Sequence, residues 1–363
     1  MFETLFIIAI SLYFIQAILI TIGTKKQFKK IDENNLPSCT VIVAARNEEK
    51  NINECLESLH KLIYPKEKLE IIIVDDFSDD QTKTIIEKHI SDKPLFKLIQ
   101  PVKNFGETQG KARAIANGIE ISKGEIIFTT DADCVVNPYW VKTLASYYTN
   151  DVGMVCGYTN QKWNNIFEAV QDVDFIYLLI VAAGSINIWK PISAIGNNMS
   201  YRKSAYLEVG GYEKIKFSVT EDFQLLMAIH DFKKYKIIYP LDAGGLVTSK
   251  PCTDFKTLFH QKKRWAVGGL NVRLDGAFVI GTAIFTMLMT LLVPLFYSST
   301  SLIIVAFKIF TDYFMISNIY KSLKLKLKLI NFAAFEIYLP IYFIITGLNL
   351  LFSRKVLWKG REF

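Results

Sequence analysis

Acidic residues follow three short apolar runs of the sequence, at the points where the runs end. They are Glu48 and Glu49 after the first run, Asp75 and Asp76 after the second, and Asp131 and Asp133 after a later one. If the runs are parallel strands, ligands bind outside their carboxyl ends, where these carboxylates would lie. Carboxylates repel a bare phosphate, so they indicate either a divalent cation between protein and phosphates or hydrogen bonds accepted from a base and a sugar.

The same acidic groups have an ordinary structural interpretation. Carboxylates two residues apart, as in Asp131-Ala132-Asp133, commonly cap helices or turns. The Asp75-Asp76 pair could form a turn before the helix QTKTIIEKHI, with Asp79 or Asp80 as its cap. The two interpretations are compatible, and the position directly after the run EIIFTT favours a functional role for Asp131.

Two basic residues, Lys111 and Arg113, open a predicted helix after Gly110. A helix N-terminus combined with an ammonium group suits an anion, so Lys111 is the better ligand candidate. A solvated helix face is the alternative.

A second acidic motif, Thr220-Glu221-Asp222, begins the predicted amphipathic helix QLLMAIHDF. Thr220 could cap this helix, and Glu221 and Asp222 could complement its dipole. Taken by itself, the motif favours capping over catalysis.

Further along, the segment QKKRW places Gln261, Arg264 and Trp265 at positions i, i+3 and i+4, which share one face of a helix. That face would present two donor side chains for a diphosphate and an indole on which a sugar ring can stack. The same helix could instead be an interfacial anchor whose Lys and Arg side chains reach toward the membrane surface.

Short β-rich runs alternate with helical stretches between about Ser38 and Thr130, which is typical of a parallel α/β sheet. The polar region extends to about Asp275. Five cysteines without CxxC spacing indicate a reducing compartment and argue against a disulfide framework or a zinc site.

The composition predicts a mosaic of membrane and polar parts. Hydrophobic residues make up 51% and the mean hydropathy is +0.23, yet 21% of residues are charged. Residues 4–23 form an uncharged run long enough to cross a bilayer, and residues 276–352 hold about three further apolar segments. The net charge of +7 is explained by basic flanks beside these runs, so nucleic-acid binding is not needed.

The basic flanks also predict topology. Lys25, Lys26, Lys29 and Lys30 follow the first run, which places residues 24–275 in the cytoplasm of a multi-pass plasma-membrane protein. Not all basic flanks can be cytoplasmic if four segments cross fully, so one segment is expected to be re-entrant or interfacial. The segment interrupted by Pro340 is the candidate. Lys308, Asp312 and Glu336 could line a polar path, pair within the bundle or extend to the interface.

In order, the motifs ARNEE, VDDFSDD, GKARA, DAD, TED and QKKRW resemble the motif series of membrane-bound glycosyltransferase family 2 enzymes, relatives of cellulose, chitin and hyaluronan synthases and of lipid glycosyltransferases. The resemblance covers residues 38–272, which is the expected catalytic domain. It implies an α/β GT-A fold between N- and C-terminal transmembrane helices. It also implies a nucleotide-diphosphate-sugar donor, a divalent metal (Mg²⁺ or Mn²⁺) and inversion at the anomeric carbon.

The resemblance implies a role for each matched position. Ala45, Glu48 and Asp75 would hold the nucleotide, Lys111 and Asp131 would contact uridine diphosphate, and Asp133 would ligate the metal. Asp222 would be the general base. Gln261 and Arg264 would steady the leaving diphosphate, and Trp265 would line the acceptor site. A retaining double displacement would need a second nucleophile, for which the sequence offers no clear candidate.

Two departures from the family pattern bear on function. Phe77 stands where small residues are usual, and the apolar segments are few compared with the large polymer-secreting synthases. We therefore expect a hexosyltransferase that acts on a lipid-linked or membrane-proximal acceptor, with processive polysaccharide synthesis as the alternative. A nucleotidyltransferase would carry a glycine- and arginine-rich loop in place of ARNEE. A degenerate scaffold would have lost DAD or the base.

Overall fold

The computed structural model describes residues 1–215, 218, 220–269, 274–352, 357–358 and 361–362. The strands are β1 (Cys39–Ala45), β2 (Leu69–Asp75), β3 (Phe96–Ile99), β4 (Ile126–Asp131), β5 (Val135–Val136), β6 (Val152–Cys156), β7 (Thr159–Gln161), β8 (Met199–Arg202), β9 (Lys236–Ile238), β10 (Val247–Ser249), β11 (Leu357–Trp358) and β12 (Arg361–Glu362). The helices are α1 (Phe2–Thr24), α2 (Ile52–His60), α3 (Thr82–Ile90), α4 (Gly110–Ile121), α5 (Trp140–Ala145), α6 (Ile166–Ile188), α7 (Lys203–Glu208), α8 (Gly211–Lys214), α9 (Glu221–Phe232), α10 (Phe255–Gly269), α11 (Leu274–Leu292), α12 (Ser299–Ser322) and α13 (Leu329–Phe352).

These elements fall into two compact units. The sheet unit comprises Lys26–Asn160 and Ala194–Lys250, and the helix unit comprises Met1–Lys25, Gln161–Ser193 and the chain from Pro251 onward. The helices α6 and α10, which lie inside the range 38–272 of the predicted catalytic domain, belong to the helix unit. As functional domains, the ranges 4–23, 38–272 and 276–352 stay predictions.

The main sheet of the sheet unit has the strand order β3-β2-β1-β4-β8-β6-β9. The first four strands are parallel, as the alternating pattern predicts. The sequence pattern predicts no strand direction beyond Thr130, and there β8 runs antiparallel to both β4 and β6.

Continuous apolar runs form the central strands because both faces of the sheet are covered. The side chains of Val41, Val43, Ile71 and Ile73 are completely buried. Helix α2 packs beside α3, and α4 packs against β1 and β2. The parallel register pairs Ala45 with Asp75 and Ala44 with Asp131, so the three predicted strand ends lie side by side at one edge.

The helix unit contains three helices long and apolar enough to cross a membrane: α1, α12 and α13. The apolar part of α11 is shorter, at Gly276–Leu292. The expected interruption at Pro340 is wrong, since α13 continues through this residue as one 24-residue helix of about 36 Å. A proline removes its own N–H donor and crowds the carbonyl four residues earlier, and helices in lipid tolerate this when neighbouring groups satisfy the freed backbone.

Polar groups inside the helix unit pair with one another. The Lys308 ammonium lies 2.8 Å from Asp312 and 2.6 Å from Glu336. Of the three alternatives for these residues, the structure shows pairing within the helix bundle. The hydroxyl of Tyr13 on α1 donates a hydrogen bond to Asp312 on α12. Near the end of α1, Gly23 lies directly against Gly184 of α6, where a Cβ added to Gly23 would come within 2.3 Å of the Gly184 carbonyl oxygen.

Candidate active site

Asp75 ends β2 and is completely buried. Its Oδ1 accepts from the backbone N–H of Ser78 at 3.3 Å, and its Oδ2 accepts from the Gln100 side-chain amide at 2.9 Å. Gln100 directly follows β3, so it obeys the same strand-end rule that selected the acidic residues, and sequence analysis overlooked it. The two hydrogen bonds fix the Asp75 carboxylate at the edge of the sheet.

The loop after β1 is joined to the loop after β2 by backbone and side-chain hydrogen bonds. The Asp76 N–H donates to the carbonyl of Ala45 at 2.8 Å. The Glu48 N–H donates to Thr82 Oγ1 at 2.7 Å, and the Glu48 carboxylate accepts from Asn51 at 2.7 Å. Asp80 accepts from the Thr82 N–H at 2.9 Å. The expected cap at Asp79 or Asp80 is nevertheless wrong, because α3 begins at Thr82 and its N-cap is Gln81, which makes no side-chain cap.

Asp76 forms an ion pair that sequence analysis did not predict. Arg113 Nη2 lies 2.7 Å from Asp76 Oδ1, and Arg46 Nη1 donates to the Asp76 carbonyl at 2.8 Å. The Arg113 guanidinium also lies over the ring of Phe77, 5.5 Å from its centroid. Phe77 has a φ of +56°, a backbone conformation that bulky residues rarely adopt. Phe77, which departs from the family pattern, therefore has a strained backbone conformation, and its ring contacts the Arg113 guanidinium.

Lys111, in the first turn of α4, connects two motifs. Its Nζ lies 2.5 Å from Asp131 Oδ1 and 3.6 Å from Glu221 Oε1, and its side chain is 19% exposed. Burial alone would lower the pKa of Lys111. The carboxylates of Asp131, Glu221 and Asp222 outweigh burial and raise this pKa above its ordinary value, so the ammonium stays charged. The strand end of β4 and the start of α9 therefore share one cation.

Asp131 and Asp133 flank the turn after β4, and both are partly exposed. The Cys134 thiol donates a hydrogen bond to Asp133 Oδ1, with 3.4 Å between the sulfur and the oxygen. Burial raises the pKa of the Cys134 thiol and of the Cys55 thiol, with Asp133 adding to the effect, so both thiols stay neutral and are poor metal ligands. The available donors are therefore carboxylate oxygens.

Within the described part of the chain, no group of three His, Cys, Asp or Glu side chains is arranged to hold a metal ion alone. Mg²⁺ usually binds through one or two carboxylates and completes its coordination with substrate phosphates and water. The pair formed by Asp131 and Asp133 fits that type of site. Asp131 also pairs with Lys111, and Asp133 as the metal ligand stays a prediction.

Asp222 lies in the first turn of α9, and both of its oxygens accept hydrogen bonds from backbone N–H groups. Oδ2 lies 2.6 Å from the nitrogen of Gly196, and Oδ1 lies 2.8 Å from the nitrogen of Phe223. Thr220 occupies the N-cap position but makes no side-chain cap, so the expected capping by Thr220 is wrong. Its hydroxyl instead lies 3.1 Å from the Ser218 hydroxyl. A carboxylate offers about four lone pairs, so Asp222 can accept a further proton donor.

Gln261, Arg264 and Trp265 lie on α10 of the helix unit, and all three are partly buried. The ring of Trp265 lies 5.6 Å from the ring of Phe175. Seven of the predicted site residues belong to the sheet unit: Ala45, Glu48, Asp75, Lys111, Asp131, Asp133 and Asp222. The part that the α10 residues take in the reaction stays a prediction.

Comparisons with known proteins agree with this architecture. The family described as Glycosyl transferase family 2 matches residues 40–208, and Glycosyl transferase family group 2 matches residues 126–352. The chain belongs to glycosyltransferase family 2, which confirms the family predicted from the motifs. A mannosyltransferase from Pyrobaculum calidifontis, solved with GDP-mannose and Mn²⁺, superposes with a TM-score of 0.64 at 17% identity and covers 97% of this chain and 99% of its own. This likeness supports the expected GT-A fold.

Three curated relatives have similar sequences. The probable glycosyltransferase YdaM of Bacillus subtilis is 28% identical over 66% of this chain and 57% of its own length. The beta-monoglucosyldiacylglycerol synthase of Trichormus variabilis is 27% identical over 72% and 55%. The poly-beta-1,6-N-acetyl-D-glucosamine synthase of Staphylococcus aureus is 27% identical over 74% and 63%. The chain thus spans less than two thirds of the length of each relative.

Proposed function

We propose that this chain is an inverting hexosyltransferase that moves a sugar from a uridine-diphosphate donor to a lipid-linked or membrane-proximal acceptor. One observation carries the proposal: the Lys111 ammonium joins Asp131, at the end of β4, to Glu221, next to Asp222. An inverting transfer needs charge compensation for the leaving diphosphate and a base for the acceptor. The Lys111 ammonium thus lies between a residue proposed to contact the diphosphate and the neighbour of the proposed base.

The donor would bind along the edge where the parallel strands end. Ala45, Glu48 and Asp75 hold the nucleotide, and Lys111 with Asp131 contacts the diphosphate. A helix N-terminus and a charged ammonium both favour an anion at this position. Asp133 holds Mg²⁺ or Mn²⁺, which would neutralise charge on the diphosphate when bound.

Asp222 takes the proton of the acceptor hydroxyl as the acceptor oxygen attacks C1 of the sugar. The bond from C1 to the diphosphate oxygen breaks, and its electron pair leaves with the nucleoside diphosphate. The two backbone N–H groups that bind Asp222 orient its carboxylate for this transfer. One displacement of this kind inverts the anomeric configuration.

The residues of α10 are assigned to the leaving group and to the acceptor. Gln261 and Arg264 steady the leaving diphosphate, and Trp265 offers an indole face for a sugar ring. Three helices long enough to cross a membrane, together with relatives named as glucosyldiacylglycerol synthases, support an acceptor within the bilayer.

Processive polysaccharide synthesis is the second candidate function. It is supported by the relative named as a poly-beta-1,6-N-acetyl-D-glucosamine synthase. The QKKRW motif is compatible with both functions, and the length of the product distinguishes them.

The sheet unit is proposed to face the cytoplasm of the plasma membrane, because four lysines follow α1: Lys25, Lys26, Lys29 and Lys30. A cysteine introduced near Lys66 should resist an impermeant thiol reagent added to intact cells. Efficient labelling from outside would reverse the assigned topology.

The decisive experiment incubates the purified full chain in lipid nanodiscs with a panel of uridine-diphosphate sugars, with and without a lipid extract. Released nucleoside diphosphate, the glycosylated lipid and its anomeric configuration are measured, with Asp222→Asn as the inactive control. We expect one donor to yield a short glycolipid of inverted configuration. A long polymer would support the processive function, and the absence of transfer with every donor and acceptor would overturn the proposal.

A further inference from the structure

The first lysine of QKKRW is buried with its charge. Lys262 on α10 is 2% exposed, and its ammonium forms an ion pair with Asp174 of α6, whose side chain is completely buried. Both helices belong to the helix unit. Burying two charges has a large desolvation cost, and a pair of this kind is often no more stabilising than apolar residues of similar volume. Stability alone therefore gives little reason for an ammonium at this position.

The ammonium of Lys262 also contacts aromatic rings. Its Nζ lies 4.5 Å from the centroid of Trp265 and 5.1 Å from the centroid of Tyr342 on α13. These distances are within the range of cation–π attraction, which strengthens when the cation is removed from water. The Phe175 ring lies 5.6 Å from the indole of Trp265. The partly exposed indole is thus held by a cation and by a neighbouring ring.

We propose that Lys262 is a positioning residue for the acceptor: Asp174 fixes its ammonium, and the ammonium fixes the orientation of the Trp265 indole. This inference rests on the proposed function, in which Trp265 lines the acceptor site. A sugar that stacks on an indole needs the ring plane at a defined angle, and small misplacements reduce turnover strongly. Because Tyr342 contacts the same ammonium, the orientation of Trp265 depends on α13, a helix long enough to cross the membrane.

Lys263 provides a matched control. It is the next residue of α10 and is also buried, at 8% exposure. Within the described part of the chain it has no ion pair and no ring contact of the kind that Lys262 makes. Replacing either lysine with methionine removes one charge and shortens the unbranched side chain by one heavy atom.

The kinetic test uses four variants of the full chain in nanodiscs. Three are the single variants Lys262→Met, Lys262→Arg and Lys263→Met, and the fourth is a double variant that carries both Asp174→Asn and Lys262→Met. We expect Lys262→Met to raise the acceptor KM by about five- to thirtyfold, the range that a partly desolvated cation–π contact supplies. The donor KM and the slow hydrolysis of donor without acceptor should change by less than about twofold. Lys262→Arg should restore the acceptor KM, and the double variant should fold yet keep the high value.

A second readout does not depend on activity. In protein labelled with 5-fluorotryptophan, the ¹⁹F resonance of Trp265 is assigned from its loss in Trp265→Phe. Lys262→Met should shift or broaden this resonance, and Lys263→Met should leave it in place. An unchanged resonance and an unchanged acceptor KM in Lys262→Met would overturn the positioning role. A wild-type chain that transfers sugar to no acceptor, but whose Trp265 resonance still responds to Lys262→Met, would overturn the proposed function and leave the contact intact.

Discussion

The carboxylate of Asp222 accepts a hydrogen bond from the backbone N–H of Gly196, with 2.6 Å between Oδ2 and the nitrogen. The carbonyl of Gly196 in turn accepts from Thr129 Oγ1 on β4 at 3.0 Å. The orientation of the proposed base therefore depends on a backbone segment outside its own helix and on the strand that ends at Asp131.

Replacing Asp222 with asparagine distinguishes a base from an acid that only complements a helix dipole. A dipole role contributes roughly 0.3–1 kcal/mol to stability, and turnover would be nearly normal without it. Loss of a general base lowers kcat by about a hundredfold to ten-thousandfold and leaves donor affinity almost unchanged. We expect the second result from kcat and donor Kd measured together. Asp231→Asn at the other end of α9 is the control, and near-normal turnover in Asp222→Asn would remove this residue from the mechanism.

Gly196→Ala should misplace the same carboxylate without removing it. A Cβ at Gly196 would lie 2.9 Å from the Cβ of Asp222, so one of the two segments must move. We expect kcat to fall by about ten- to a hundredfold, as for small displacements of a reacting group. Gly281→Ala, where a Cβ meets nothing within 4 Å, is the control. Equal activity of the two variants would show that the contact has no part in orienting the base.

Removal of divalent metal should weaken donor binding through Asp133. Isothermal titration of uridine diphosphate into the full chain should show an affinity at least about tenfold lower after chelation, because cation bridges between carboxylate and phosphate are lost. Mg²⁺ or Mn²⁺ should restore the affinity of wild type but not of Asp133→Ala. Asp79→Ala removes a carboxylate of the loop after β2 that is 80% exposed, and this variant should respond to metal like wild type. Undiminished affinity in chelated protein would contradict the metal site.

Gly23→Ala should destabilise the helix unit. The added Cβ would meet the Gly184 backbone, which cannot rotate away as a side chain can, so α1 and α6 must separate. Overpacking of this kind costs about 1–3 kcal/mol, and it should lower the unfolding temperature in nanodiscs. Gly347→Ala in α13 has no neighbour within 4 Å and should be neutral or slightly stabilising, since alanine favours a helix. A Gly23→Ala chain as stable as Gly347→Ala would exclude the close helix contact.

Asp172 on α6 predicts that stability depends on pH. Burial raises the pKa of Asp172 to about 6, against hydrogen bonds from Tyr320 and the Gln161 N–H that lower it. The folded state therefore binds the proton more tightly than the unfolded state does. The resulting contribution to the free energy of unfolding is complete below about pH 4 and is lost as the pH rises through 6. The shift corresponds to roughly 3 kcal/mol. Thermal unfolding between pH 4 and 7 should show this slope in wild type, and Asp172→Asn should flatten it. A slope that persists in Asp172→Asn would assign it to another group.

The strand-end rule predicted much of the candidate site from sequence. Runs such as LEIIIVD form central strands because they are apolar on both faces, and parallel register then aligns the carboxylates that follow them. The ion pairs of Lys111 with Glu221 and of Arg113 with Asp76 join residues far apart in sequence, and no local pattern encodes such pairing. The antiparallel position of β8 likewise depends on tertiary packing. Helix continuity at Pro340 was missed because the rule for soluble helices overstates the effect of proline in an apolar bundle.

The hydrogen bond from Tyr13 to Asp312 spans 299 residues of sequence, which has a consequence for synthesis at the ribosome. At about 5–20 residues per second, α1 emerges roughly 15–60 s before the helix that carries its partner. During that interval the tyrosine hydroxyl must bond to water, to lipid headgroups or to the insertion machinery. An uncharged run of about 20 residues makes α1 long and apolar enough to cross a bilayer by itself. The contact between α1 and α12 is therefore among the last to form.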